Sequence, residues 1–121
     1  MDHSAAFLGL IDSVHPKVRD VTVEQTRARL LENPSLQLVD VREDNEWSAG
    51  HITGASHLGK GVIERDIETR IPDKNAEIIL YCGGGFRSVL AADAIQKMGY
   101  TNVASMAGGW RGWKAAGAPV E

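Results

Sequence analysis

The stretch "EIILYCGGGFRSVLAADAIQKMGY", residues 77–100, decides the fold. Its first five residues, 77–81, are β-rich and, after Glu77, apolar, and they read as a buried strand. Its last thirteen, 88–100, carry helical spacing and end at Gly99. Between them lies a short glycine run that follows Cys82, the only cysteine in the chain. A largely apolar strand that runs through a glycine turn into a helix is the unit from which parallel α/β sheets are built.

Working outward, the same alternation recurs. "NVASM" (102–106) reads as a strand, and "GGWRGWKAAG" (108–117) as a short helix closed by Gly117. Upstream, "GVIERDIETRI" (61–71) has near-helical apolar spacing, and Pro72-Asp73 makes the turn before the strand. "LQLVDV" (36–41) is a buried strand, "REDNEWSAG" (42–50) one or two helical turns, and "ASHL" (55–58) a weak strand. Val21 closes a short strand. Thr22 with Gln25 forms a capping box for a helix that Asn33-Pro34 stops. The expected class is α/β, with a mainly parallel central sheet covered by helices on both faces. Residues 4–14 read as a short helix, so 1–19 are expected to form an N-terminal extension to one domain over 20–121.

Composition fits one globular domain. The chain has 121 residues, 43% of them hydrophobic, and a net charge of −3. A chain of this length buries enough surface to fold without disulfides or metal. No basic run points to nucleic acid. No stretch approaches the roughly 20 apolar residues that span a bilayer. The N-terminus lacks the basic start of a signal peptide. A single thiol fits a reducing compartment, and a cytoplasmic location is the expectation.

In open parallel sheets, ligands bind beyond the carboxyl ends of strands, where Cys82 falls. Glycines let backbone N–H groups approach and surround an anion. The following helix adds unpaired N–H groups and the positive end of its dipole. Such surroundings favour a sulfur anion. Arg87 adds a cation at the rim or braces the loop. The bland alternative is a small buried cysteine with no chemistry. The loop has no Lys-Ser/Thr pair of a nucleotide-binding P-loop and no dinucleotide fingerprint. With one Cys and no clustered His, a zinc site is not expected.

At these residues the sequence resembles the rhodanese (sulfurtransferase) family in its single-domain form. "LVDVREDNEWSAGHITGA" (38–55), "ILYCGGGFRS" (79–88) and "MAGGWRGWKAAGAP" (106–119) match its signatures in order. The resemblance implies that Cys82 takes a sulfane sulfur from thiosulfate or a related donor as a persulfide. Cyanide or a thiol, including a protein thiol, then accepts it. Gly83, Gly84, Gly85, Phe86, Arg87 and Ser88 would cradle the anion, with Ser88 capping the helix or offering its hydroxyl. No metal or organic cofactor is implied. Phosphatases and arsenate reductases on the same scaffold are a rival class, but their loop places Arg six positions after Cys, whereas Arg87 lies five after Cys82. A non-catalytic persulfide carrier is a second alternative. Members that favour thiosulfate often carry extra positive charge in the loop. Here Arg87 is the loop's only cation, and Phe86 suits an organic or protein-bound donor.

The remaining candidates carry weaker expectations. By the resemblance, Asp40 lies under the active loop and fixes its backbone, or else caps the next helix. Arg42 holds substrate anions or, as we favour, pairs with a carboxylate. His51 is expected to be architectural, bonding loop backbone, rather than a Cys–His partner. His3, His15 and His57 are expected at the surface or in loops. Trp47, Trp110 and Trp113 read as packing, with Trp47 flanking the site and Trp110 and Met106 at the pocket edge as the alternatives.

Overall fold

The computed structural model describes residues 3–121. Five parallel strands form one sheet in the order β1-β5-β4-β2-β3. They are β1 (Arg19–Val21), β2 (Gln37–Asp40), β3 (Ser56–His57), β4 (Ile78–Tyr81) and β5 (Val103–Met106). The six helices are α1 (Ala5–Val14), α2 (Val23–Glu32), α3 (Asp44–Ala49), α4 (Ile63–Arg70), α5 (Arg87–Lys97) and α6 (Gly109–Ala115). A 3₁₀ turn, His15–Lys17, links α1 to β1.

β4 lies at the centre and is buried along its whole length. A strand alternates its side chains between faces, and the core divides accordingly. Ile78, Leu80 and Cys82 pack with Ile63 and Ile67 of α4 and Val89, Ala92 and Ile95 of α5. Ile79 and Tyr81 pack with Val23 of α2, Trp113 of α6 and Met106. Both faces are thus covered, as a continuous apolar strand requires. Cys82 follows the end of β4 directly.

The local signals explain the element ends. Thr22 Oγ1 accepts from Gln25 N at 3.0 Å and Gln25 Oε1 accepts from Thr22 N at 2.8 Å, which completes the capping box that starts α2. α3 begins where Glu46 Oε1 accepts from Glu43 N at 3.0 Å. Asp40 does not cap it, contrary to one expectation. Of the segment 1–19, expected as an extension, the described part packs onto the domain: α1 lies on α5, Ile11 is buried, and Val18 joins the core.

Candidate active site

The loop after β4 wraps its backbone around one sulfur atom. Gly85 N donates to Cys82 Sγ at 3.1 Å and Ser88 N at 3.4 Å. Gly85 sits at φ +104°, a conformation glycine reaches cheaply, and this turns its N–H inward. Ser88 lies in the first turn of α5, so the positive end of an 11-residue helix faces the sulfur. The expectation that Ser88 caps this helix is corrected. Phe86 occupies the cap position, and no side chain caps α5. The Ser88 hydroxyl instead sits 3.6 Å from Sγ and 2.7 Å from the hydroxyl of Ser105 on β5. Sequence reading missed Ser105, a small polar residue in an apolar strand.

The carbonyls that the loop turns outward are held by α6. Trp110 N donates to Cys82 O at 2.7 Å and Arg111 N to Gly83 O at 3.1 Å. This clamp needs a backbone that passes almost against the loop. Gly109, at φ +54°, makes that approach, since a Cβ there would run into Cys82 O. The Gly-Gly of 108–109 is therefore part of the site's geometry.

Arg87 braces the loop. Its Nη1 and Nη2 donate to Glu46 Oε1 and Oε2 at 2.7 and 3.0 Å, tying α5 to α3. The Arg87 hydrogen bonds hold the Glu46 carboxyl at about 2, against its ordinary 4.5. A second arginine, Arg111, reaches back over the loop. A Cβ added to Gly84 would lie 3.1 Å from its Nη1. Arg87 is the only cation within the loop itself, and Arg111, supplied by α6, is a second one over it that the local sequence does not reveal.

A cavity of about 460 Å³ opens above the sulfur. Cys82 and Gly84 reach it, as do Glu46, Arg87 and Arg111. His3 and Phe7 of the N-terminal segment and Phe86 complete the wall. His3, expected merely at the surface, joins the site, while Trp110 and Met106 lie outside this lining.

Asp40 and Arg42 form a separate buried unit. Arg42 Nε and Nη2 donate to both Asp40 oxygens at 2.8–3.1 Å, and Arg42 Nη2 also donates to Gly50 O at 2.7 Å. The guanidinium packs 4.7 Å from the Trp110 ring. Burial works against its charge, but the Asp40 carboxylate outweighs this and raises the pKa of Arg42. Asp40 therefore holds Arg42 rather than the loop, which corrects that expectation. Arg42 is only 3% exposed and lies outside the lining of the cavity above the sulfur. His51 Nδ1 lies 3.1 Å from Trp47 O, and its ring stacks on Trp47 at 3.5 Å. It bonds helix-end backbone, not the cysteine loop. His57 is half-buried, with Nε2 2.8 Å from Arg42 O, so it is not a free surface residue.

This combination of a parallel sheet, a cysteine at the carboxyl end of its central strand and a backbone cradle around the sulfur has recognisable relatives. Residues 22–116 match the Rhodanese-like domain family. The chain belongs to this family. A relative named thiosulfate sulfurtransferase GlpE, from Tolumonas auensis, is 33% identical over 74% of this chain and 83% of its own length. The Bacillus subtilis relative named "Putative sulfur carrier protein YrkF" is 30% identical over 79% of this chain, which spans about half of that protein. A crystal structure of thiosulfate sulfurtransferase from Pseudomonas aeruginosa matches with TM-score 0.78 and 32% identity, over 85% of this chain and 20% of that one. A Rhodopseudomonas palustris protein of unknown function, described as "Possible Tyrosine Phosphatase", matches with TM-score 0.82 and 26% identity. It covers 100% of this chain and 99% of its own, so the N-terminal helix lies within the match.

Proposed function

We propose that this chain is a sulfurtransferase that carries a sulfane sulfur on Cys82. One observation carries the reading: Sγ accepts two backbone N–H groups at the floor of an open cavity. Those donors suit a sulfur that is negatively charged before and after it is loaded.

The chemistry runs in two halves. The Cys82 thiolate attacks the outer sulfur of a donor such as thiosulfate. A Cys82–sulfur bond forms, the donor's S–S bond breaks, and sulfite leaves with the bonding electrons. Cys82 then bears a terminal persulfide anion. Cyanide or a thiolate attacks that terminal sulfur, the persulfide S–S bond breaks, and the electron pair restores the Cys82 thiolate. Gly85 N–H, Ser88 N–H and the Ser88 hydroxyl face the charge, while Arg111 stands where donor oxygens pass. Arg87 positions the loop through Glu46. A reducing compartment such as the cytoplasm would keep the thiol available.

The test is intact mass after exposure to thiosulfate, together with thiosulfate-to-cyanide turnover, for wild type and Cys82→Ser. Gain of one sulfur and turnover, both lost in the variant, is the expected result. A stable persulfide without turnover would identify a carrier, the role that the name of the Bacillus relative describes. Hydrolysis of an aryl phosphate without sulfur loading would overturn the proposal in favour of a phosphatase.

A further inference from the structure

The N-terminal segment brings aromatic rings to the cavity. The His3 ring lies 4.9 Å from Phe86 and 5.0 Å from Phe7, and the Phe7 ring meets Phe86 edge-on at 6.2 Å. Phe86 is 36% exposed at the rim, and Phe7 is half-buried. Three rings at these spacings form one aromatic wall of the cavity, a surface that another ring can meet stacked or edge-on. A cavity of about 460 Å³ is also far larger than a small inorganic anion fills.

The charges in the cavity point the same way. Arg87 is neutralised by Glu46 at 2.7 Å, and Arg42 by Asp40 away from the cavity. Among the described residues no ion pair holds Arg111. Among the described residues that line the cavity, the donor therefore meets one cation outside an ion pair, Arg111. A dianion such as thiosulfate leaves a charge unmatched, whereas a monoanion is matched fully.

We infer that α1 and the cysteine loop jointly build the donor site, and that it selects monoanionic organic thiosulfonates, R–SO₂–S⁻, in which R is an apolar ring. The sulfonyl oxygens lie toward Arg111, and the ring lies against His3, Phe7 and Phe86. This rests on the sulfurtransferase reading and names its donor class. The step balances without an oxidant. The Cys82 thiolate bonds the terminal sulfur, the S–SO₂R bond breaks, and the sulfinate R–SO₂⁻ departs with the electron pair.

Three donors separate charge from ring: benzenethiosulfonate, methanethiosulfonate and thiosulfate. For wild type, kcat/KM is expected to be about tenfold higher for the phenyl than for the methyl donor. In Phe7→Ala and in His3→Ala that ratio falls toward one. Arg111→Gln lowers kcat/KM for both thiosulfonates and leaves their ratio in place. Both wall positions lie at least partly at the surface, so these variants should fold, and thermal melts verify it. A second readout needs no turnover. Cys82→Ser titrated calorimetrically should bind benzenesulfinate about tenfold more tightly than methanesulfinate, and adding Phe7→Ala should erase the difference. A phenyl-to-methyl ratio near one in wild type, or one that Phe7→Ala does not change, overturns the inference even if Cys82 loads normally. Failure of every donor to load Cys82, with ring-selective sulfinate binding intact, overturns the sulfurtransferase reading instead and leaves the ring-binding wall standing.

Discussion

Gly109 illustrates how much of this site is set by a missing side chain. At φ +54° its Cα faces Cys82 O, and no Cβ fits between them. Gly109→Ala must either move α6 away or unseat the loop. The expected cost is on the order of 2–3 kcal/mol in urea unfolding, with sulfur loading of Cys82 reduced in the folded fraction. The Asp40–Arg42 pair poses a different problem. Both side chains are almost fully buried, at 0% and 3% exposure. Removing one partner strands the other's charge, so Asp40→Leu should destabilise by about 3–5 kcal/mol. Adding Arg42→Met to it should recover most of that loss, a comparison that equilibrium unfolding settles. A mainly catalytic role for Asp40 would instead leave stability close to wild type.

Between elements, the Arg87–Glu46 bridge sets the position of α5 relative to α3. Glu46 titrates at about 2 when folded and 4.5 ordinarily, because Arg87 hydrogen-bonds its ionised form. A depressed carboxyl contributes stability that is complete above the ordinary value and vanishes as pH falls through the folded value. The stability gap between wild type and Glu46→Gln should therefore stay constant above pH 4.5 and close between 4.5 and about 2. At a partly exposed site the gap is modest, about 1 kcal/mol. Much at this scale was legible in sequence. The strand–Cys–Gly–helix order, the Thr22–Gln25 box and the burial of "EIILY" are local, and local spacing reports them. Arg111 was not legible: inside "GWRGW" it reads as a polar position on a short helix, and only the folded chain brings it over Gly84. Likewise, nothing near His3 and Phe7 tells that they meet Phe86. Asp40 differs for the opposite reason: its partner Arg42 is local, two residues on, and the resemblance directed the reading to the loop instead.

Across the molecule, two core layers on the two sheet faces hold the β4 end in place, and α1 adds to one of them through α5. Deleting residues 1–14 removes the burial of Ile11, worth about 1.5–3 kcal/mol. The truncated chain should still unfold cooperatively, with a Tm lower by several degrees in calorimetry. It should also lose the phenyl preference among thiosulfonate donors, since the deletion takes His3 and Phe7 with it. The single cysteine fixes a stoichiometry as well. One chain has one sulfhydryl, and it is 1% exposed at the base of a walled cavity. These 121 residues hold no second thiol to resolve a loaded sulfur, and with Sγ this buried a disulfide between two folded chains is not expected. Aerobic storage should therefore leave the protein at monomer mass on a non-reducing gel, so each loaded sulfur waits for a nucleophile that reaches into the cavity from outside.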